Sequence, residues 1–150
     1  MNLGDYPVIT AIKSLPEGVH SGSRYHKDIP DTPENEAWYE EFMANSKVLP
    51  TNWSWENATA MDFIIAALKA TGGDTDAEKM GKATAGMTID SPFGAGGKLT
   101  MRASDHTLVN YMVGYSKTIS KAPYVVDFQE TDWADIYKHE EEWKKRNGYI

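Results

Sequence analysis

The chain contains no cysteine among its 150 residues. This absence excludes structural disulfides, thiol catalysis and metal sites built on cysteine. Basic residues are also in the minority, because 15 lysines and arginines stand against 22 aspartates and glutamates, for a net charge of −7. An acidic surface repels phosphate backbones and anionic lipids. We therefore expect no nucleic acid and no lipid surface among the partners of this protein.

Long apolar runs are missing too. The longest is the stretch 64–68, which is far shorter than the roughly 20 residues needed to cross a bilayer. The opening Met-Asn-Leu-Gly-Asp-Tyr-Pro has neither the basic segment nor the apolar segment of a signal peptide. Taken alone, these residues predict no export signal in this chain.

The familiar nucleotide and metal motifs are absent as well. The glycine-rich stretch 91–98 does not fit a P-loop, because Pro92 stands where a glycine is needed and Leu99 where Ser or Thr must follow the lysine. The four histidines form neither H-x-x-x-H nor H-E-x-x-H. We therefore predict no metal site and no cofactor. A hydrolase stays open as an alternative, because catalytic triads are assembled in space and leave no fixed spacing.

What the sequence does contain is a helical pattern over residues 30–86. Thr32 is a predicted N-cap, with Pro33 at the first helical position. A second helix is predicted from Ser54 to Thr71, and Gly72-Gly73 is a natural end for it. Apolar residues at helical spacing predict the inner face of this second helix, namely Met61, Ile64, Ile65 and Leu68.

Shorter helices are predicted around this segment. One covers residues 5–12, and another follows the capping box Thr75-x-x-Glu78. A helix at the end of the chain is predicted from about Thr131 to Arg146, because aromatic and aliphatic residues recur there at helical spacing.

Strand patterns dominate residues 98–128. Alternation predicts one strand around Leu99 and another on which Val109, Tyr111, Val113 and Tyr115 share a face. Residues 124–128 form a third strand pattern, and residues 17–25 a weaker one. Helices and strands together predict an α/β fold.

Two tryptophans, Trp53 and Trp55, precede the strongest helical pattern. Aromatic side chains at the edge of an element can form the wall of a small-molecule pocket. Burial in the core is the more common use of such residues and stays open as the alternative.

Six stretches carry a family resemblance by their order: Leu15–Tyr25, Asp31–Trp38 with Phe42, Pro50–Leu68, Lys69–Asp76, Ser91–Gly94 and Arg102–His106. Together they resemble the C-terminal portion of type I periplasmic solute-binding proteins of the leucine/isoleucine/valine-binding type. The similarity extends from about residue 3 to residue 128. The chain differs from the family at residues 58–60, where Ala-Thr-Ala stands in place of Tyr-Asp-Ala.

The resemblance implies a fold of two three-layer α/β/α lobes joined by three hinge crossovers, with ligand enclosed between the lobes. This chain would hold only part of it. Residues 1–27 would belong to the second lobe, 28–90 to the helical part of the first, and 91–150 to the second lobe again with a C-terminal helix. Each lobe would then have a parallel sheet without its leading strands.

The resemblance also implies a function. The full-length protein would be periplasmic or on the cell surface, and it would bind an amino acid, an amide or an aromatic acid. It would deliver that ligand to an ABC permease without catalysing a reaction. Carried over residue by residue, the family's ligand contacts point to Trp53, to Asn2, Asp5 and Tyr6 near the cleft, and to Tyr25 at a hinge.

An incomplete sheet exposes edges and apolar patches, which favour association. We therefore expect self-association or a companion chain carrying the missing N-terminal part. Two alternatives remain open on the sequence: a stand-alone α/β enzyme, and a truncated remnant that no longer binds ligand.

Overall fold

The computed structural model describes residues 5–12, 14–112 and 114–150. The predictions that concern Asn2 and Val113 therefore lie outside the described residues. Within them, the helices are α1 (Tyr6–Ile12), α2 (Pro33–Ser46), α3 (Asn52–Ala70), α4 (Ala77–Thr84) and α5 (Trp133–Arg146). The strands are β1 (His20–Ser23), β2 (Thr88–Asp90), β3 (Lys98–Met101), β4 (Leu108–Val109), β5 (Gly114–Thr118) and β6 (Val125–Glu130).

The described strands form two sheets of three. One has the order β1-β5-β6 and the other β2-β3-β4, and every pair is antiparallel. The α/β prediction is confirmed. The expected parallel pairing is wrong for the strands described here. Strands β2 and β3, and likewise β5 and β6, are consecutive antiparallel neighbours, and β1 pairs antiparallel with β5.

The chain crosses three times between the elements around the β1-β5-β6 sheet and those around the β2-β3-β4 sheet: after β1, between β4 and β5, and after β6, where it continues to α5. The prediction of a single strand from Val109 to Tyr115 is wrong. Strand β4 ends at Val109, Asn110 has a φ of 65°, and β5 begins at Gly114 in the other sheet. A positive φ breaks the pleat, so the alternating pattern spans two strands of different sheets.

Helix α2 begins as the sequence predicts. Thr32 is its N-cap, and the Thr32 hydroxyl accepts a hydrogen bond of 3.3 Å from the backbone N–H of Asn35. Helix α4 begins differently from the prediction. Its N-cap is Asp76, whose carboxylate accepts from the backbone N–H of Lys79 at 3.0 Å, so the capping box predicted at Thr75 is wrong.

Helix α3 has the predicted extent but not the predicted inner face. It begins two residues earlier than expected and ends before two glycines with φ of 67° and 88°. The side that it buries consists of Asn52, Trp55, Thr59, Phe63 and Ala67. The predicted inner face is wrong, because three of its four residues are exposed. The aromatic rings of Trp55 and Phe63 outweigh the aliphatic stripe in choosing the buried side.

Two clusters of buried residues hold the elements together. The cluster that we call the aromatic core joins α3 to β3 and comprises Tyr25, Trp55, Phe63, Phe93 and Leu99. The cluster that we call the small core joins α1 to β6 and comprises Ile9, Leu15 and Val125. We refer to α2–α4 and β2–β4 as the larger region, on which α5 packs, and to α1, β1, β5 and β6 as the smaller region.

Helix α5 lies against the larger region. Its Trp133 indole N–H donates to the carbonyl of Tyr111 at 2.7 Å, and the Tyr137 hydroxyl donates to the Asn110 side chain at 3.0 Å. The domain boundary predicted between residues 90 and 91 falls inside the β2–β3 hairpin, whose last pair joins Asp90 to Lys98. In the part of the chain that the structure describes, no helix combines the length and apolar character needed to cross a membrane.

Candidate ligand-binding site

Trp53 lies in the first turn of α3, which is fixed by a capping box. The Thr51 hydroxyl accepts from the Trp53 backbone N–H at 3.1 Å, and the Ser54 hydroxyl accepts from the Thr51 backbone N–H at 3.0 Å. The Trp53 side chain is 63% exposed, whereas Trp55 is 1% exposed in the aromatic core. Trp55 is thus a core residue, whereas the Trp53 ring is available on the surface.

Arg24 holds the Trp53 ring from the side of the smaller region. Its guanidinium carbon lies 5.5 Å from the centre of the Trp53 ring, a cation–π distance. Its Nη1 also lies 2.6 Å from Glu56 Oε1, one turn further along α3. Arg24 directly follows β1. The exposed Trp53 ring is therefore held by the positive charge of Arg24, which lies on the segment that leaves the β1-β5-β6 sheet.

Asp5 reaches the same end of α3. Its carboxylate accepts a hydrogen bond of 3.3 Å from the backbone N–H of Asn52, the first residue of that helix. This acceptor compensates one of the helix's unpaired N–H groups and carries negative charge at the positive end of the dipole. Tyr6 begins α1 directly afterwards. The start of α1 therefore lies beside the start of α3.

Tyr25 lies in the aromatic core and is 2% exposed. Its ring meets Trp38 edge-on at 5.4 Å and Phe93 edge-on at 6.1 Å. It follows Arg24 at the point where the chain leaves β1 for the larger region. In this conformation its ring has almost no surface left for a ligand.

His26 continues this crossing and contacts both regions. Its ring lies 4.7 Å from that of Phe128 on β6, and its carbonyl accepts from the Asn35 side chain on α2 at 3.4 Å. Burial lowers the pKa of His26 to about 4, against the weaker opposing effect of the Asp28 carboxylate. The imidazole is therefore neutral at neutral pH.

Two titratable residues outside this site, Asp105 and His106, make local structural contacts. The Asp105 carboxylate pairs with Arg102, which keeps the pKa of Asp105 well below its usual range. His106 Nε2 lies 3.0 Å from the carbonyl of Gly81. The described residues contain no group of three or more acidic or histidine side chains able to hold a metal ion.

The glycine-rich loop forms one side of a surface cavity of about 490 Å³. A Cβ at Gly94 would lie 2.1 Å from the Lys98 carbonyl oxygen, so the loop needs glycine there in order to turn back on itself. A strand rather than a helix follows the loop, which is consistent with the absence of a P-loop. The cavity is lined by Pro30, Thr32, Glu34, Asp90, Ser91, Pro92, Gly94, Gly96, Gly97 and Lys98.

A sequence model of the periplasmic binding protein family matches residues 2–116. The chain belongs to this family. The match covers α1 to the first half of β5, and so includes both the capped start of α3 and the segment that carries Arg24. No curated protein matches the chain.

Solved structures of this family resemble the chain over most of its length. An ABC-type branched-chain amino acid transporter from Rhodopseudomonas palustris CGA009 is 25% identical, with a TM-score of 0.65. A solute-binding protein of an R. palustris ABC transporter, solved with benzoate, is also 25% identical, with a TM-score of 0.67. Each match covers 85% of this chain and 33% of the relative. The chain thus spans about a third of the length of these relatives.

A more distant structure supports the fold alone. The leucine-, isoleucine-, valine-, threonine- and alanine-binding protein from Brucella ovis, in a closed conformation, is 14% identical, with a TM-score of 0.65. That match covers 87% of this chain and 34% of the Brucella protein.

The structure brings together only part of the predicted site. Trp53 lies in the first turn of α3, and Asp5 accepts from the backbone N–H of Asn52 at the start of the same helix. Tyr25 lies in the aromatic core, and Asn2 is outside the described residues. Sequence reasoning missed Arg24 and Glu56. The i,i+3 spacing of Trp53 and Glu56 places them on one side of a helix, but nothing in the sequence joins Arg24 to that side.

Proposed function

We propose that this chain is part of a periplasmic solute-binding protein that delivers a small molecule to an ABC permease. Membership of the periplasmic binding protein family over residues 2–116 supports this proposal most directly. The protein would bind its ligand without transforming it, and the full-length polypeptide would act in the periplasm or at the cell surface. The proposed lobe segments stay as predicted from the sequence. The first lobe would take residues 28–90, and the second lobe would take residues 1–27 and 91–150.

The start of α3 is the proposed wall of the ligand site. Trp53 presents an exposed ring there, held by Arg24, and the Asp5 carboxylate lies at the adjoining helix end. Exposed aromatic rings beside a few fixed polar groups are typical of small-molecule sites. Asn2 and Tyr6 belong to the same proposed wall, because Tyr6 directly follows Asp5 in the chain and Asn2 lies three residues before it. Tyr25, which is buried in the aromatic core, would be a residue of the proposed hinge.

The proposed ligand is an amino acid, an amide or an aromatic acid. An aromatic ring can pack on the apolar part of any of these. One of the R. palustris relatives was solved with benzoate, and the other is described as a branched-chain amino acid transporter. The proposed partners are therefore this ligand, an ABC permease, and either a second copy or a companion chain carrying the rest of the fold.

Titration calorimetry with leucine and with benzoate tests the proposal. It should be run on the native polypeptide that contains this sequence, and we expect one of the two ligands to bind and to be recovered unchanged. Replacing Trp53→Ala should weaken binding about three- to tenfold, the usual value of one aromatic contact. Trp143→Ala is the matched control, because Trp143 is also exposed but stacks on Tyr149 beyond α5.

Two results would count against the proposal. Equal loss of binding in both tryptophan variants would mean that Trp53 is not part of the wall. Absence of binding to both leucine and benzoate would favour a remnant that has lost its ligand.

A further inference from the structure

The buried side of α3 carries a row of polar atoms that have no protein partner. The row consists of Asn52 Oδ1, Trp55 Nε1 and Thr59 Oγ1, and the three residues are 3%, 1% and 2% exposed. None of these atoms forms a hydrogen bond with another group among the described residues. With 3.6 residues per turn, the three side chains lie within about 60° of one another around the helix. We call this row the polar seam of α3.

Buried hydroxyl groups elsewhere in the described chain do have protein partners. The Ser91 hydroxyl accepts from the backbone N–H of Phe93 at 3.2 Å, and the Thr118 hydroxyl donates to the carbonyl of Pro16. A buried polar group without any partner lowers the folded-to-unfolded ratio by roughly five- to a hundredfold. Three such groups on one helix would cancel much of the stability of a typical domain. The polar seam therefore needs partners that the described side chains do not supply.

We propose that the polar seam binds a short row of buried water molecules. The three groups complement one another for this purpose, because the Trp55 indole only donates, the Asn52 amide oxygen only accepts, and the Thr59 hydroxyl does both. A water molecule donates and accepts, so it can join any two of them. Buried waters typically make about three hydrogen bonds with polar groups of this kind.

Larger occupants fit the polar seam less well than water. The seam faces the aromatic core, where the Trp55 ring already lies 5.7 Å from that of Phe93 and 5.6 Å from that of Tyr111. A second polypeptide or an organic ligand would have to displace these rings in order to reach the unpartnered atoms. Water needs only about the volume of one water-sized sphere and two to four polar partners.

The polar seam adjoins the proposed ligand wall. Asn52 is the first residue of α3, and its backbone N–H donates to the Asp5 carboxylate. Trp53, the next residue, carries the exposed ring of that wall. The first turns of α3 would thus be hydrated on the core side as well as on the outside. The inference depends on burial and hydrogen bonding within the chain and not on ligand binding, so either proposal can fail without the other.

Thr59→Val tests the seam through stability, in the native polypeptide that contains this sequence. Valine has nearly the same shape and helix propensity as threonine, so the change removes little besides the hydroxyl. We expect the folded-to-unfolded ratio in urea unfolding to fall at least about fivefold, because the water loses a partner that it shares with the rest of the seam. An unchanged or higher ratio would overturn the proposal, since it would show a hydroxyl that binds nothing.

Thr118→Val is the reference for this comparison. Thr118 is also buried, but its hydroxyl accepts from the backbone N–H of Val19 at 3.0 Å and donates to Pro16. Its replacement should lower the ratio as well, and it shows the size of effect that a hydroxyl with protein partners gives in this chain.

The second arm detects the water on the unaltered polypeptide by NMR with nitrogen-15 labelling. The indole proton of Trp55 should exchange slowly with solvent and show a nuclear Overhauser cross-peak to water, with the sign that a long-lived bound water gives. Trp133 is the matched control, because its indole N–H donates to the carbonyl of Tyr111 at 2.7 Å and should show no such cross-peak. Trp55→Phe assigns the Trp55 signal by removing it. Absence of the cross-peak at Trp55 would overturn the proposal, and so would fast exchange of its indole proton, because that would place the indole N–H outside the core.

Discussion

The larger and smaller regions differ most in what lies at their centres. The aromatic core has five buried residues with seven partly buried hydrophobic residues around it, whereas the small core has three and two. A region with little core of its own depends on contacts with its neighbour. Two such contacts are the Asp5 carboxylate on the start of α3 and the Phe128 ring against His26. We expect mutations to have unequal effects in the two regions.

The largest effect should come from Trp55→Ala in the aromatic core. Trp55 is 1% exposed, and its ring lies 5.7 Å from Phe93 and 5.6 Å from Tyr111. Removing it should lower the free energy of unfolding by about 3–5 kcal/mol, the usual cost of truncating a buried tryptophan. Urea unfolding followed by circular dichroism measures this. Trp143→Ala, at an exposed site, should change the same quantity by less than about 0.5 kcal/mol, and similar losses in the two variants would contradict the assignment of the core.

The sequence predicted much of the larger region because its signals are local. The Thr32 cap and the glycines after α3 depend only on nearby residues, and all are found as predicted. The inner face of α3 was not predictable in the same way. The helix has apolar residues on both sides, and only tertiary contacts with Phe93 and Leu99 decide which side is buried.

The second prediction concerns His26, where the two regions meet. Its pKa of about 4 in the folded chain is below its ordinary value of 6.5, because burial disfavours the charged ring. Above pH 6.5 both folded and unfolded chains carry a neutral ring. As the pH falls from 6.5 to 4, only the unfolded chain gains a proton, so folding should lose about 3 kcal/mol over that window.

Urea unfolding at several pH values between 7.5 and 4 checks this prediction. His26→Gln should flatten the profile between pH 6.5 and 4, whereas His139→Gln, on the exposed side of α5, should leave it unchanged. Asp28 lies 3.6 Å from the His26 ring and Lys27 is adjacent, so Asp28→Asn is a further comparison that separates their charges from the effect of burial. A profile that stays steep in His26→Gln would assign the acid sensitivity to other groups.

The candidate site shows where prediction from sequence ends. Trp53 was predicted from a resemblance, and its exposure fits a ligand wall. Arg24, its cation partner, could not be predicted, because it is far from Trp53 in the chain and only the crossing after β1 brings the two together. The crossing between β4 and β5 was hidden for a related reason, since alternating apolar residues continue through it.

A smaller effect is expected in the small core. Ile9→Val removes one methyl group from a residue that is buried against Leu15 and Val125. The loss should be about 0.5–1.5 kcal/mol. Ile12→Val makes the same change near the end of the same helix at an exposed site, and it should have almost no effect in urea unfolding. Equal losses in the two variants would mean that α1 is not anchored through Ile9.

The smallest effect should come from the ion pair that joins α5 to the larger region. Glu140 lies 2.7 Å from Arg102 and 2.7 Å from Lys144, and the hydrogen bond from Arg102 keeps the pKa of Glu140 below its usual range. Both side chains of the Arg102 pair are partly exposed, so Glu140→Gln should cost less than about 1 kcal/mol. The difference from wild type should shrink in 1 M salt, where the screening length is only about 3 Å.

Glu141→Gln separates docking of α5 from the stability of the helix itself. Glu141 pairs with Lys145 one turn away on the same helix, so its replacement removes a charge and a local pair but leaves the Arg102 contact intact. Glu140→Gln should therefore be the more destabilising of the two at low salt, and the excess measures the contact between α5 and Arg102, which directly follows β3. If the two variants behave alike, the tryptophan and tyrosine hydrogen bonds at the start of α5, rather than the ion pair, hold this helix on the larger region.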